Sequence, residues 1–133
     1  MKIIIVGTAY PYRGGLSAFN ERLAREFVRQ GNEVEIYTFT LQYPSFLFPG
    51  KPQFWDDEAP ADLKITRRIN SVNPLNWISV GKEIKGKNPD KIIFCYWMAF
   101  MAPCFGTIAR FAKTEKTKII SLVHNMIPDE PSV

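Results

Sequence analysis

Three short apolar runs constrain most strongly how this chain can fold: KIIIVG at residues 2–7, KIIFCYW at 91–97 and KIISLVH at 118–124. Short runs of consecutive apolar residues are typical of strands that are buried on both faces. Such strands occur in parallel sheets that helices cover on both sides. The first run is also too short for a signal peptide or a membrane span. We therefore expect an α/β fold.

The segment after the first run predicts a βαβ unit. Two adjacent glycines, Gly14 and Gly15, precede apolar residues at helical spacing: Leu16, Phe19, Leu23 and Phe27. Gly31 ends this helix, and residues 33–39 alternate as a second strand. Adjacent glycines are entropically costly unless the backbone bends sharply or approaches something closely. We therefore expect this loop to approach a ligand or another part of the chain.

A long stretch rich in proline and aromatic residues, 40–62, follows the second strand. Loops of this length in compact domains are usually functional or cover part of the fold. Its aromatic part, 41–55, has two interpretations: it caps the edge of the sheet, or it touches a lipid or an acceptor. Residues 63–69 predict a third strand.

Two further helices are predicted. The first begins at the N-cap Asn73, ends at Gly86 and has an inner stripe of Leu75, Ile78 and Ile84. The second covers 98–113, with Pro103 in its first turn because a proline farther along would break the hydrogen-bond ladder. Together with the strands, these helices predict a doubly wound, mainly parallel, Rossmann-like sheet of about five strands in the order 3-2-1-4-5.

Ligands of such sheets bind at the carboxyl ends of the strands, near the switch point between strands one and four. Three pairs of residues follow carboxyl ends and are expected to share one cleft: Gly14 and Gly15, Tyr96 and Trp97, and His124 and Asn125. Helices 74–86 and 98–113 should cover one face of the sheet, which leaves only helix 16–30 for the other. We expect a segment beyond Val133 to pack there, so residues 1–133 are interpreted as one domain of a truncated protein.

Composition narrows the choice of partners. The chain has 133 residues, a net charge of +4 and 46% hydrophobic residues, as ordinary globular domains have. This charge suits an anionic ligand or an acidic membrane surface but is too weak to indicate nucleic acid. Cys95 and Cys104 form no C-x-x-C pair, so neither a disulfide framework nor a zinc site is expected. A reducing cytoplasm is the expected compartment.

The common phosphate-binding motifs do not occur in the sequence. There is no G-x-G-x-x-G, and strand two carries no acidic residue near its end to hold a ribose, which disfavours a dinucleotide oxidoreductase. No Gly-Lys pair precedes Ser or Thr, so there is no Walker loop. Strand one ends without the acidic cluster of a Mg²⁺-binding receiver domain.

The chain resembles the N-terminal domain of a family 4 glycosyltransferase, a retaining enzyme of the GT-B architecture. The resemblance rests on four segments in this order: KIIIVGTAYPYRGGLSAF, ERLAREFVRQGNEVEIYTF, LQYPSFLFPGKPQ and HNMIPDE. It implies that residues 1–133 are the acceptor-side half, and that a C-terminal nucleotide-sugar domain is absent from this sequence. The protein would then be a hexosyltransferase of polysaccharide biosynthesis, and these residues alone would be inactive.

The resemblance also implies roles for individual residues. The glycine-rich loop would place Gly14 and Gly15, together with Asn125, near the donor's phosphate or sugar. His124 would line the reacting centre as the catalytic residue. Where family members often read His-Asn-x-x-Pro-His-Glu, this chain has Asp129 in place of the second histidine.

The remaining expectations concern the acceptor, metal and location. Arg13, Tyr10 and Trp97 are the candidate acceptor contacts. No metal and no cofactor are expected, since the family generally works without a bound metal and the nucleotide-sugar is a co-substrate. The expected partners are a nucleotide-sugar, an acceptor (glycan, lipid-linked or small molecule) and the absent C-terminal domain. The lysines at predicted helix ends and turns suit dipole complementation and solubility first, and peripheral contact with an anionic membrane at its inner face second.

One alternative function stays open. The chain could be a non-catalytic Rossmann-like binding module, or one half of a two-chain enzyme. The sequence that follows residue 133 in the reading frame would distinguish these.

Overall fold

The computed structural model describes residues 1–7, 9, 15–41, 62–70, 72–96 and 102–123. These residues form five strands and three helices: β1 (Lys2–Val6), α1 (Gly15–Arg29), β2 (Glu33–Leu41), β3 (Lys64–Asn70), α2 (Pro74–Lys87), β4 (Lys91–Tyr96), α3 (Ala102–Ala112) and β5 (Lys118–Val123). Pro103 lies in the first turn of α3, as predicted. None of these helices is both long enough and apolar enough to cross a bilayer.

All five strands pair in parallel, in the order β3-β2-β1-β4-β5. This confirms the predicted Rossmann-like sheet and its strand order. β1 is the central strand because it pairs with both β2 and β4. Ile4, Ile5 and Val6 are accordingly 0% exposed, which is the physical reason for the continuous apolar run.

Helices cover the two faces of the sheet unequally, as predicted. On one face, side chains of α2 and α3 pack on β1, β2 and β4 in a core that contains Ile84, Phe105 and Ile108. The ring of Phe105 lies 5.4 Å from that of Phe94 and 6.1 Å from that of Phe39. On the other face, α1 contributes Ala24 to a second core, against which Leu23, Phe27, Ile120 and Leu122 are partly buried.

Both predicted helix stripes were wrong in part. On α1, Leu23 and Phe27 face the core, but Phe19 is 39% exposed and the buried positions are Ser17, Asn20, Glu21 and Ala24. On α2, Ile84 is buried as predicted, whereas Leu75 is 78% exposed. The reason on α2 is that the helix packs against α3 as well as the sheet, so its buried side includes Val80 and Gly81.

Asparagines cap both ends of α2. The side chain of Asn73 accepts hydrogen bonds from the backbone N–H groups of Leu75 and Asn76, which confirms the predicted N-cap. At the other end, Asn88 adopts a left-handed conformation with φ of 53° and its N–H donates to the carbonyl of Lys85. The helix therefore ends just before β4.

α2 and α3 approach each other closely at Gly81. A Cβ atom built on Gly81 would lie 2.7 Å from Cβ of Phe111 and 2.9 Å from the carbonyl oxygen of Ile108. Both of these atoms are in α3: one is a backbone oxygen, and the other is bonded directly to the backbone. Neither can move unless the helix itself moves. The glycine therefore sets how closely the two helices pack.

A buried carboxylate joins β2, β3 and α2. Glu35 is 5% exposed; one of its oxygens lies 2.7 Å from Nζ of Lys87, and the other accepts a hydrogen bond of 2.6 Å from Thr66. Burial alone would raise the pKa of Glu35, but the bonds from Lys87 and Thr66 and the charge of Lys64 outweigh it, so the pKa is lowered. Nearby, the hydroxyl of Tyr37 donates to Glu83 at 2.6 Å.

We expect Gly81→Ala to destabilise the protein, because the added methyl group collides with α3; overpacking of this kind costs about 1–3 kcal/mol. Gly86→Ala is the matched control on the same helix, since a Cβ there meets nothing within 4 Å. That variant should be neutral or more stable, as alanine is a better helix former. Urea unfolding of both variants measures the difference. Equal stability would contradict the close approach.

We expect Glu35→Gln to lower the free energy of unfolding at neutral pH by about 1–3 kcal/mol, because the ammonium of Lys87 loses its ionic partner. A carboxylate with a lowered folded pKa stabilises the protein above its unfolded pKa, and this contribution is lost as the pH falls through the folded pKa. The difference between the variant and wild type should therefore shrink in acid. The free energies of unfolding of wild type and Glu35→Gln, measured at several values from pH 7 to about pH 3, test this. Glu33→Gln, at the exposed start of the same strand, is the control. A difference that does not vary with pH would contradict the ionic role.

Candidate substrate cleft at the carboxyl edge of the sheet

The switch point of the sheet lies between β1 and β4. The last residues that pair between these two strands are Val6 and Phe94. The chain leaves β1 towards β2 on one side, whereas β4 continues to β5 on the other. A crevice at this position is where open α/β sheets bind their ligands. α1 follows β1 and begins at Gly15, so the N-terminus of this helix lies at the same edge. The first N–H groups of a helix have no partner within the helix, and together with the positive end of its dipole they favour an anion there.

Most of the predicted site residues lie outside the described ranges: Tyr10, Arg13, Gly14, Trp97, His124 and Asn125. Gly15 is described only as the first residue of α1. β4 ends at Tyr96 and β5 ends at Val123, so Trp97 and His124 follow the ends of these strands directly in the sequence. The proposed roles of these residues stay predictions.

Beneath this edge, α1 packs tightly on β1 and β4 at Gly7. A Cβ atom on Gly7 would lie 3.0 Å from Nδ2 of Asn20 and 3.0 Å from Cβ of Cys95. Asn20 is itself 1% exposed. A larger residue at position 7 would therefore require the side chain of Asn20 or Cβ of Cys95 to move by a few tenths of an ångström.

The first turn of α1 carries a buried hydroxyl at Ser17, which is 1% exposed. Within the described part of the chain, Oγ of Ser17 has no hydrogen-bond partner. A buried hydroxyl without a partner costs about 1–3 kcal/mol, so such groups often mark a functional position. Ser17 is therefore a candidate for binding an anionic group together with the N–H groups of the same turn.

A buried hydrogen bond ties the segment after β1 to β2. The backbone N–H of Ala9 donates to Oγ1 of Thr38 at 3.1 Å, and both residues are 0% exposed. Two residues earlier, the N–H of Gly7 donates to the carbonyl of Tyr37 at 3.0 Å. The start of the β1–α1 connection is thus held against the carboxyl end of β2.

The thiols do not supply a nucleophile at neutral pH. Burial raises the pKa of Cys95 to about 12 and that of Cys104 to about 12. Each is 1% exposed, and they belong to the cores on opposite faces of the sheet. A thiol with so high a pKa carries almost no thiolate at pH 7. Among the described residues, no three side chains of His, Cys, Asp or Glu are grouped so that they could hold a metal ion.

Sequence reasoning missed Ser17, Asn20 and Thr38. The signal was present in α1, where two polar residues stand three apart on the side that faces the sheet. Polar residues in a buried helix face are unusual and point to a partner or a ligand. The assumption that Phe19 belongs to the buried stripe concealed this pattern.

Comparison of the sequence with protein-family models finds no match, and no curated protein matches it in sequence. The fold, in contrast, is similar to that of a solved structure, "lipopolysaccharide outer core galactosyltransferase WaaB apo form". The match has a TM-score of 0.60 and 13% sequence identity, and it covers 92% of this chain and 33% of that chain. Nearly all of this chain therefore shares a Rossmann-like α/β fold with part of that galactosyltransferase. The chain spans about a third of the length of that protein.

Proposed function

We propose that residues 1–133 form the N-terminal, acceptor-side domain of a family 4, GT-B glycosyltransferase, which moves a sugar from a nucleotide-sugar to an acceptor with retention. The observation that carries this proposal is the likeness of fold to a galactosyltransferase over 92% of the chain. The position of α1 supports it, because the helix N-terminus lies at the switch point of the sheet. A C-terminal domain would supply most of the nucleotide site.

The charge that develops during glycosyl transfer fits this edge of the sheet. The transition state resembles an oxocarbenium ion, and negative charge grows on the departing nucleoside diphosphate. Fixed donors that face such charge are the main catalytic device a protein has. In our proposal, the N–H groups of Gly14 and Gly15, together with Asn125, bind the donor's phosphate or sugar. The macrodipole of α1 adds a partial positive charge of about half an elementary unit to the same place.

The remaining roles are proposed as follows. His124 lines the reacting centre, while Arg13, Tyr10 and Trp97 contact the acceptor. The reaction needs no bound metal, since the donors of the loop and helix neutralise the diphosphate. The protein acts in the cytoplasm. Its exposed lysines allow peripheral contact with an anionic membrane. The acceptor belongs to polysaccharide biosynthesis.

Sugar transfer by the polypeptide expressed from its complete reading frame tests the proposal. UDP-galactose is the first donor to try, followed by UDP-glucose, GDP-mannose and ADP-glucose. Release of nucleoside diphosphate is followed with and without membrane and glycan extracts as the source of acceptor. Transfer with retained anomeric configuration supports the proposal. Lack of transfer and of nucleotide binding would favour a non-catalytic binding module, and activity only with a second polypeptide would favour a two-chain enzyme.

We expect His124→Ala to reduce kcat of the active enzyme by about a hundredfold or more, as loss of one group at a reacting centre does. Its melting temperature should stay close to that of wild type. Lys113→Ala, which removes an exposed side chain beyond α3, is the control and should keep full activity. Equal turnover in His124→Ala and wild type would remove His124 from the mechanism.

A further inference from the structure

We propose that Thr38 is a positioning residue, which holds the β1–α1 connection in the place where it meets the donor. This inference rests on the proposed function for its final step. Its structural basis is the buried hydrogen bond from the N–H of Ala9 to Oγ1 of Thr38, with a length of 3.1 Å. Thr38 lies on β2, and we assign it no contact with substrate.

The bond replaces a rung of the sheet. Donors of a parallel ladder recur at every second residue, so the N–H of Ala9 would follow that of Gly7 and pair with the carbonyl of Phe39. Instead, the carbonyl of Phe39 accepts from Nε of Arg67 at 3.1 Å, and the threonine side chain accepts from Ala9. The N–H of Gly7 therefore bonds to the backbone of β2, whereas the N–H of Ala9 bonds to a side chain of the same strand.

The register of the sheet changes at the same place. The pairing of β2 with β3 shifts between Thr38 and Phe39. Irregularities of this kind bend a strand and re-aim its groups, and they are common next to active sites. Here the shift lies beside the residue that accepts the bond from Ala9. The shift in register therefore begins at Thr38, the same residue that accepts the hydrogen bond from Ala9.

Burial makes the anchor effective. Both Ala9 and Thr38 are 0% exposed, so water cannot take over the bond if the hydroxyl is removed. Threonine is also stiff about χ1, which fixes the direction of its oxygen. Ala9 lies at the start of the β1–α1 connection, and in the proposed function Gly14 of this connection binds the donor. The position of this connection matters, because a catalytic group that is misplaced by about an ångström can lose most of its effect.

The test compares Thr38→Val with Thr38→Ser and a matched control in the full-length polypeptide. Valine keeps the shape of threonine but cannot accept the bond, whereas serine can. Thr117→Val is the control: Thr117 is 6% exposed, and its hydroxyl donates to the carbonyl of Pro89 at 2.8 Å, just before β5 at the opposite edge of the sheet. Thr38→Val removes the bond from Ala9, whereas Thr117→Val removes the bond to Pro89 and the 2.8 Å hydrogen bond with Oγ1 of Thr114. The melting temperature of the control should therefore fall at least as much as that of Thr38→Val.

Isothermal titration with UDP, GDP and ADP identifies the diphosphate that wild type binds, and that compound is then the probe. We expect Thr38→Val to raise its Kd by about tenfold or more, Thr117→Val to leave it unchanged, and Thr38→Ser to restore it. Amide hydrogen exchange should be faster in the segment after β1 in Thr38→Val alone. If wild type binds none of the three compounds, the proposed function and this inference both fail. If wild type binds and the two valine variants behave alike, only the role of Thr38 is overturned.

Discussion

The burial of β1 on both faces is the constraint on which the rest of this structure depends. β1 pairs with β2 on one side and β4 on the other, and Ile4, Ile5 and Val6 are 0% exposed. A strand so placed needs helices above and below it. Because the chain leaves it for β2 and returns later to β4, its carboxyl end becomes the switch point where a cleft can form.

The two helix layers satisfy this constraint in different ways. α2 and α3 pack closely against each other at Gly81 and place large apolar side chains, Phe105 among them, on the sheet. α1 instead approaches β1 through a glycine and presents Ser17 and Asn20 to the interior. Both faces have an apolar core, but their buried polar groups differ: on the α2 side Glu35 is paired with Lys87, whereas on the α1 side Ser17 and Asn20 are buried near the start of the helix.

Likeness of fold and likeness of sequence carry different weight in this protein. A TM-score of 0.60 at 13% identity means that the arrangement of strands and helices is shared with a galactosyltransferase while most side chains are not. Function depends on those side chains, because the same fold serves many reactions. In our proposal the glycine-rich loop and His124 supply those side chains, and sugar-transfer assays test that role.

The sequence by itself determined the parallel sheet, its strand order and the N-cap at Asn73, because these depend on local patterns of apolar runs, crossover chirality and capping. It also predicted which edge of the sheet would bind a ligand. Only the tertiary structure decided that Leu75 and Phe19 are exposed, that Gly81 and Gly7 are contact points, and that Thr38 holds Ala9. These depend on which helix lies against which neighbour and at what distance. Periodicity along one helix or strand carries no such information, since it shows that a face is buried but not what buries it.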